Sequence, residues 1–412
     1  MKSNLHQKVS NKLVTPYNSM ATFFFRRSVE KAFQLDEAPN GLSLNMHKSI
    51  DSNSPYIMSS VDDVMYIVNT VIRKSLSTAQ RDIVGSVIPA IGRVLGSDFV
   101  VMMQKKMRDE YYPKPVVHGG FPPEDKIISF IVLINSLDMA NEYLARIVFT
   151  WLGTPQANGQ PNEHHPQQSL KSSFPFGQDA AFVTSSLNNL NNSFKSKATD
   201  LLNSGVEVLY NQVIKPRLRP VLTDTFRDVD YSLTEDEIAE LVASAQDTDG
   251  QILDDRVIPL LDMDYAREGE GRQLSPVASR FEHGWDALMK PIARLMTPRT
   301  FASVLNMTAD YLARVLEKRA WSYGSSSSSG GGGVTAYGAI RMERDFLGIV
   351  RVVSRGENYA IREVFARITQ ILTVANMEEE EWDEISAEEG DGGMQWLLSE
   401  DERRKARNLV RG

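Results

Sequence analysis

Apolar side chains return along this chain at helical spacing. After Ser59, the residues Val61, Val64, Met65, Val68, Val71, Ile72 and Leu76 fall three and four apart, the stripe of an amphipathic helix. Ile361, Val364, Phe365, Ile368, Ile371, Leu372 and Ala375 repeat the pattern. The same reading predicts helices over 17–35, 79–111, 124–152, 178–213, 218–229, 234–245, 277–295, 298–321 and 337–353. Ser60 is placed to cap its helix, with Asp62 and Asp63 at the positive end of the dipole. Pro89 and Gly92 predict a kink or break inside 79–111. No run alternates with period two between turn residues. The expected class is all-α, with consecutive helical bundles forming an elongated rod.

The breaks are equally readable. Residues 38–55 form a polar loop, while 113–123 and 264–271 read as boundaries. That predicts bundles over 1–117, 123–265 and 272–412. Residues 154–177, rich in Pro, Gln, Asn and Ser, read as a disordered insertion. Residues 324–333, five serines flanked by glycines, read as a flexible linker. Residues 378–393 read as an acidic loop before a short last helix. No period of 20–50 residues recurs, so a solenoid array is not expected.

Composition narrows the chemistry. The 412 residues include no cysteine, which excludes disulfides, cysteine zinc sites and a thiol nucleophile. The net charge of −8 is local: twelve acidic residues and no basic one lie between Glu378 and Glu402, and the remainder sums to +4. Nothing resembles the Lys/Arg footprint of a nucleic-acid binder. The polar start shows no signal peptide, and the run Ile127 to Ile134 falls short of the ~20 apolar residues a membrane span requires. The chain reads as soluble.

Four motifs invite a chemical reading and fail it. Asp247-Thr248-Asp249-Gly250 follows a helix like a calcium loop, but the positions for the turn glycine and the clamping glutamate hold Ile252 and Ile258. Glu163-His164-His165 lies between Pro161 and Pro166, so the adjacent imidazoles do not share a helical face. Gly330–Gly333 has no following Lys-Ser/Thr. Phe23-Phe24-Phe25 before Arg26-Arg27 suggests either a membrane-surface helix or core, and the spacing to Val29 and Phe33 favours core. No catalytic, cofactor or metal site is expected, and the chain does not read as an enzyme.

Three stretches resemble one family. They are SSVDDVMYIVNTVIRKSL at Ser59–Leu76, GAIRMERDFLGIVRVV leading into IREVFARITQILTVANME, and WLLSEDERRKARNLV from Trp396. Together they are similar to subunit 4 of the conserved oligomeric Golgi complex, a vesicle tether built of helical rods. The family's amino-terminal half is missing, so the chain reads as a carboxy-terminal portion. The resemblance implies a non-enzymatic role in intra-Golgi retrograde transport and the recycling of glycosylation enzymes. It implies a peripheral place on the cytoplasmic face of the Golgi membrane, without a membrane span, cofactor or nucleic acid. The implied partners are sister subunits and SNARE proteins with their regulators. An exocyst-like tether subunit is the alternative, and a helical enzyme with an unrecognised site a more distant one. Both the resemblance and the helical faces place an ion pair between Arg367 and Glu402, with Trp396 and Leu398 anchoring the last helix. Leu397 stands where the family usually has Arg, which puts contacts at that position in question.

Overall fold

A computed structural model describes residues 8, 10–117, 119–152, 170–245, 274–325, 333–355, 359–387 and 395–410. The chain is all-α. Among the described residues there is no strand, only one isolated bridge between Val334 and Val410. It forms two compact units, Met1–Val213 with Pro291–Ala302, and Ile214–Lys290 with Ser303–Gly412. This division differs from the three bundles expected from sequence. Residues on both sides of 113–123 belong to the first unit, and 264–271 lie outside the described residues.

The first unit is a bundle of long helices. A π-helical turn at Ser10–Val14 leads into α1, Thr15–Gln34, followed by α2, Ser59–Leu76. The helix α3 runs unbroken over Arg81–Glu110, and α4 spans Glu124–Leu152. The short α5, Leu170–Ser173, precedes α6, Asp179–Leu209. Here α6 packs on both α3 and α4, while α1 packs on α2 and α3. Phe33, Phe99 and Phe194 link α1, α3 and α6 through ring centroids 5.6 and 5.9 Å apart. Gly92 brings α3 close to α6, since a Cβ there would sit 3.3 Å from Leu190 Cδ1.

Several local expectations are corrected. Pro89 does not break α3; Val84, Val87, Ile88, Ile91 and Val94 are buried along its core face, and the helix continues through π-helical turns at Leu95–Phe99 and Lys106–Glu110. Both α3 and α4 are long and apolar enough to cross a membrane, which the run Ile127 to Ile134 did not reveal. The most apolar windows of α3 and α4 are 56% and 78% buried against other helices, so their apolarity builds core. Ser60 is not the cap of α2. It is buried within the first turn, and Asp36 accepts from its backbone N–H at 3.0 Å. The other Asp36 oxygen takes Lys106 Nζ at 2.5 Å. Of the expected insertion 154–177, residues 154–169 lie outside the described residues, but Phe174 near its end is buried. Phe25 is core, yet Phe23 and Phe24 face outward. The Asp247 and His164-His165 motifs lie outside the described residues.

Buried polar groups fix the turn at residues 296–300 within this unit. Asn135, fully buried on α4, donates from Nδ2 to Tyr56 O and Leu295 O, and its Oδ1 accepts from Thr297 N. Asp138, one turn on, accepts from Thr297 Oγ1 at 2.8 Å.

The second unit contains α7, Lys215–Thr225; α8, Glu235–Ala245; most of α9, Pro276–Leu295; and most of α10, Pro298–Ser325. It continues through α11, Ala336–Val353; α12, Tyr359–Val364; α13, Ala366–Asn376; α14, Glu379–Ala387; and α15, Glu400–Arg407. The acidic loop expected over 378–393 is therefore partly helix. Glu379, Glu380 and Glu381 occupy the first turn of α14, where carboxylates oppose the positive end of the dipole. The core is aromatic at its centre: Phe226 meets Phe346 edge-on at 5.5 Å, and the Arg319 guanidinium lies 4.0 Å over Phe226. Tyr231 Oη donates to the buried Asp345 Oδ2 at 2.9 Å. Burial raises the Asp345 carboxyl above its ordinary range and pushes the Tyr231 phenol well up. Gly338 is required where α11 begins, because a Cβ there would lie 1.9 Å from Tyr231 O.

Candidate functional site around Arg367

The terminal helix is held to the second unit by side chains from α10 and α13. On α13, Ile368, Ile371, Leu372 and Ala375 turn inward and are buried. Arg367 lies at the edge of that stripe, so its aliphatic stem covers core while its head reaches outward. Arg367 Nη2 donates to Glu402 Oε1 at 2.7 Å and to Glu317 Oε1 at 2.9 Å. Its Nε reaches Glu317 Oε2 at 3.4 Å, and Nη1 donates to Leu397 O at 2.9 Å. One guanidinium thus ties α10, the segment before α15, and α15 itself.

Three further groups meet the pair Arg367–Glu402, and the sequence pattern does not point to them. Glu317 on α10 is a second carboxylate on the same nitrogen. Leu397 contributes through its carbonyl, so the contact does not depend on which side chain occupies that position. Gln370, one turn beyond Arg367, receives Leu397 N on Oε1 and donates from Nε2 to Gln395 O, both at 2.9 Å. The signal for the fourth group was present: Ser399-Glu400-Asp401-Glu402 is a capping box. Glu402 N bonds Ser399 Oγ, and Ser399 N bonds Glu402 Oε2 at 2.8 Å. Glu402 therefore spends one oxygen on its own helix and the other on Arg367.

Electrostatics follow from that geometry. The Glu317 carboxylate, and then that of Glu402, raise Arg367 above the ordinary guanidinium value. Arg367, and then the Ser399 backbone, lower Glu402 below the usual carboxylate range. The side chains of Arg367, Glu317 and Glu402 are 38%, 23% and 35% exposed. They are too wet for the figure of a fully buried pair, and solvent screens much of their attraction.

Leu398 is buried, whereas Trp396 is half-buried beneath the Arg403 guanidinium, 4.8 Å from its ring. Further along, Ala406 and Leu409 are buried, Lys405 lies 4.8 Å over Trp321, and Arg407 donates to Met377 O. Trp396 also closes one side of a cleft of about 650 Å³ lined by Leu347, Val350, Arg362, Ala366 and Thr373. The arrangement offers fastening and surface rather than bond chemistry. Among the described residues, no three His, Asp or Glu side chains converge to hold a metal ion.

Comparison with known proteins decides the lineage. Residues 130–405 match the family described as conserved oligomeric Golgi complex subunit 4, C-terminal, and residues 1–107 match the COG4 transport protein, middle alpha-helical bundle. The chain belongs to the subunit 4 family of the conserved oligomeric Golgi complex. Its relatives include the Arabidopsis thaliana subunit 4, 26% identical over 95% of this chain and 44% of that protein. The Saccharomyces cerevisiae subunit 4 is 22% identical over 69% of this chain and 30% of its own length. The Mus musculus subunit 4 is 21% identical over 89% of this chain and 41% of its own length. The chain thus spans less than half of the length of these relatives.

Proposed function

We propose that this chain is a non-enzymatic part of a Golgi vesicle-tethering complex. It acts in intra-Golgi retrograde transport and in the recycling of glycosylation enzymes. Its work is protein–protein contact with sister subunits and with SNARE proteins and their regulators, on the cytoplasmic face of the Golgi membrane. The observation that carries this reading is the match of the two family segments over residues 1–107 and 130–405. The Arg367 junction serves it as a fastener, holding α15 so that the surface built by Trp396 and its neighbours keeps one shape. Sedimentation in a gradient tests the reading. Purified tagged chain incubated with cytosol should enter a large complex together with sister subunits, and a chain that stays at its own sedimentation position refutes it.

A further inference from the structure

We propose that the outward face of α1 is a docking surface for an anionic lipid bilayer. The inference goes beyond the tethering reading and rests on this helix alone. Leu13, in the π-helical turn that leads into α1, and Met20, Phe23 and Phe24 on α1 are 65%, 65%, 68% and 55% exposed. Leu13, Met20 and Phe24 are seven and four residues apart, which stacks them on one side over roughly 16 Å, with Phe23 at its border. The opposite side is fully used by the bundle, where Phe25, Val29, Ala32 and Phe33 are buried. The four exposed side chains therefore lie outside the buried core of their own unit.

Charge selects the occupant. The first 29 residues carry Lys2, Lys8, Lys12, Arg26 and Arg27 and no Asp or Glu, in a chain whose net charge is −8. The apolar stripe runs on into Arg27 and Lys31, three and seven residues beyond Phe24. Arg26 pairs with Asp98 and Arg27 with Glu30, yet their side chains stay 53% and 66% exposed. Aromatic rings flanked by cations that reach water are what an interfacial helix presents: the rings enter the acyl boundary and the cations meet lipid phosphates. Lys12, Arg26, Arg27 and Lys31 outnumber the paired carboxylates Glu30 and Asp98, an excess that a partner helix would have to answer with acidic residues. Because α1 is already folded on the bundle, docking requires no ordering of the helix.

The test is flotation of the 412-residue chain with vesicles of phosphatidylcholine alone or with roughly one-third phosphatidylserine. The wild type should float with the anionic vesicles, release as salt rises, and stay behind with the neutral ones. Phe23→Ser with Phe24→Ser should lower the floated fraction on the order of tenfold while leaving the melting temperature unchanged, since neither ring is buried. Arg27→Glu with Lys31→Glu provides a second variant, expected to lose anionic selectivity. No flotation of the wild type, or equal flotation of the variants, overturns the proposal. So does concentration-dependent self-association that Phe23→Ser with Phe24→Ser abolishes, which would make the face a protein interface. A chain that floats but never enters the large complex keeps this inference and removes the tethering reading, and the reverse result does the opposite.

Discussion

Arg367→Ala should loosen the terminal helix more than a surface ion pair would suggest. The substitution removes contacts to Glu317, Glu402 and Leu397 O at once. It also leaves two carboxylates facing each other, because both accept from the same Arg367 nitrogen. A charge-assisted hydrogen bond to a well-ordered partner contributes roughly 1.5–3 kcal/mol, while an exposed pair contributes only ~0.2–1 kcal/mol. With Arg367 38% exposed, the expected cost is about 2 kcal/mol, below the ~3–5 kcal/mol of stranding a buried charge. Urea melts of wild type, Arg367→Ala, Glu402→Gln and the double variant make the cycle. Glu402→Gln should cost less in the Arg367→Ala background than in the wild type, with a coupling of roughly 0.5–1 kcal/mol that shrinks at about 1 M salt. Hydrogen exchange should localise the loss to residues 395–410. Additive free energies, or exchange unchanged in that segment, refute the reasoning. Arg367→Trp should behave at least as badly, since an indole has a single N–H and no charge and cannot replace the four guanidinium contacts.

Other perturbations reach other parts of the chain. Asp36→Ala should destabilise the first unit by roughly 3–5 kcal/mol, because Asp36 is only 1% exposed, pairs with Lys106 and caps α2; a melt shifted by less than a degree would refute that role. Gly338→Ala should cost on the order of 3 kcal/mol, since its methyl would fall 1.9 Å from the Tyr231 carbonyl and main chain has to move; unchanged stability in denaturant would show the contact is looser. Acid should release α15. Glu402 is held below the ordinary carboxylate range, so its contribution is complete above the unfolded value of about 4.3 and disappears as pH falls through the lowered folded value. Exchange protection of 400–409 that falls between neutral pH and pH ~5 would contradict that sign.

What could be read from the chain and what could not divides along physical lines. Stripes such as Val61 to Leu76 and Ile361 to Ala375 specify helices because burial of one face is a local pattern. For Arg367 and Glu402, periodicity set only the face of each helix, and their pairing was what the family resemblance implied. Glu317 was not legible, because it comes from α10, 50 residues away, and only packing brings it to the same guanidinium. Asp36 escaped likewise: Ser59, Ser60 and Lys106, which bond it, lie 23, 24 and 70 residues downstream. Pro89 misled because local propensity argued for a break while buried side chains on both sides of it hold α3 together. The three phenylalanines at 23–25 had no single answer, as consecutive helical residues point in different directions.

The most direct measurement is capture of the tagged 412-residue chain from cell extract, with the bound proteins identified by mass spectrometry. Sister subunits of the Golgi tether should appear in near-equal amounts, with a weaker yield of them for Arg367→Trp. Capture of a well-folded chain that brings down none of those subunits would contradict it.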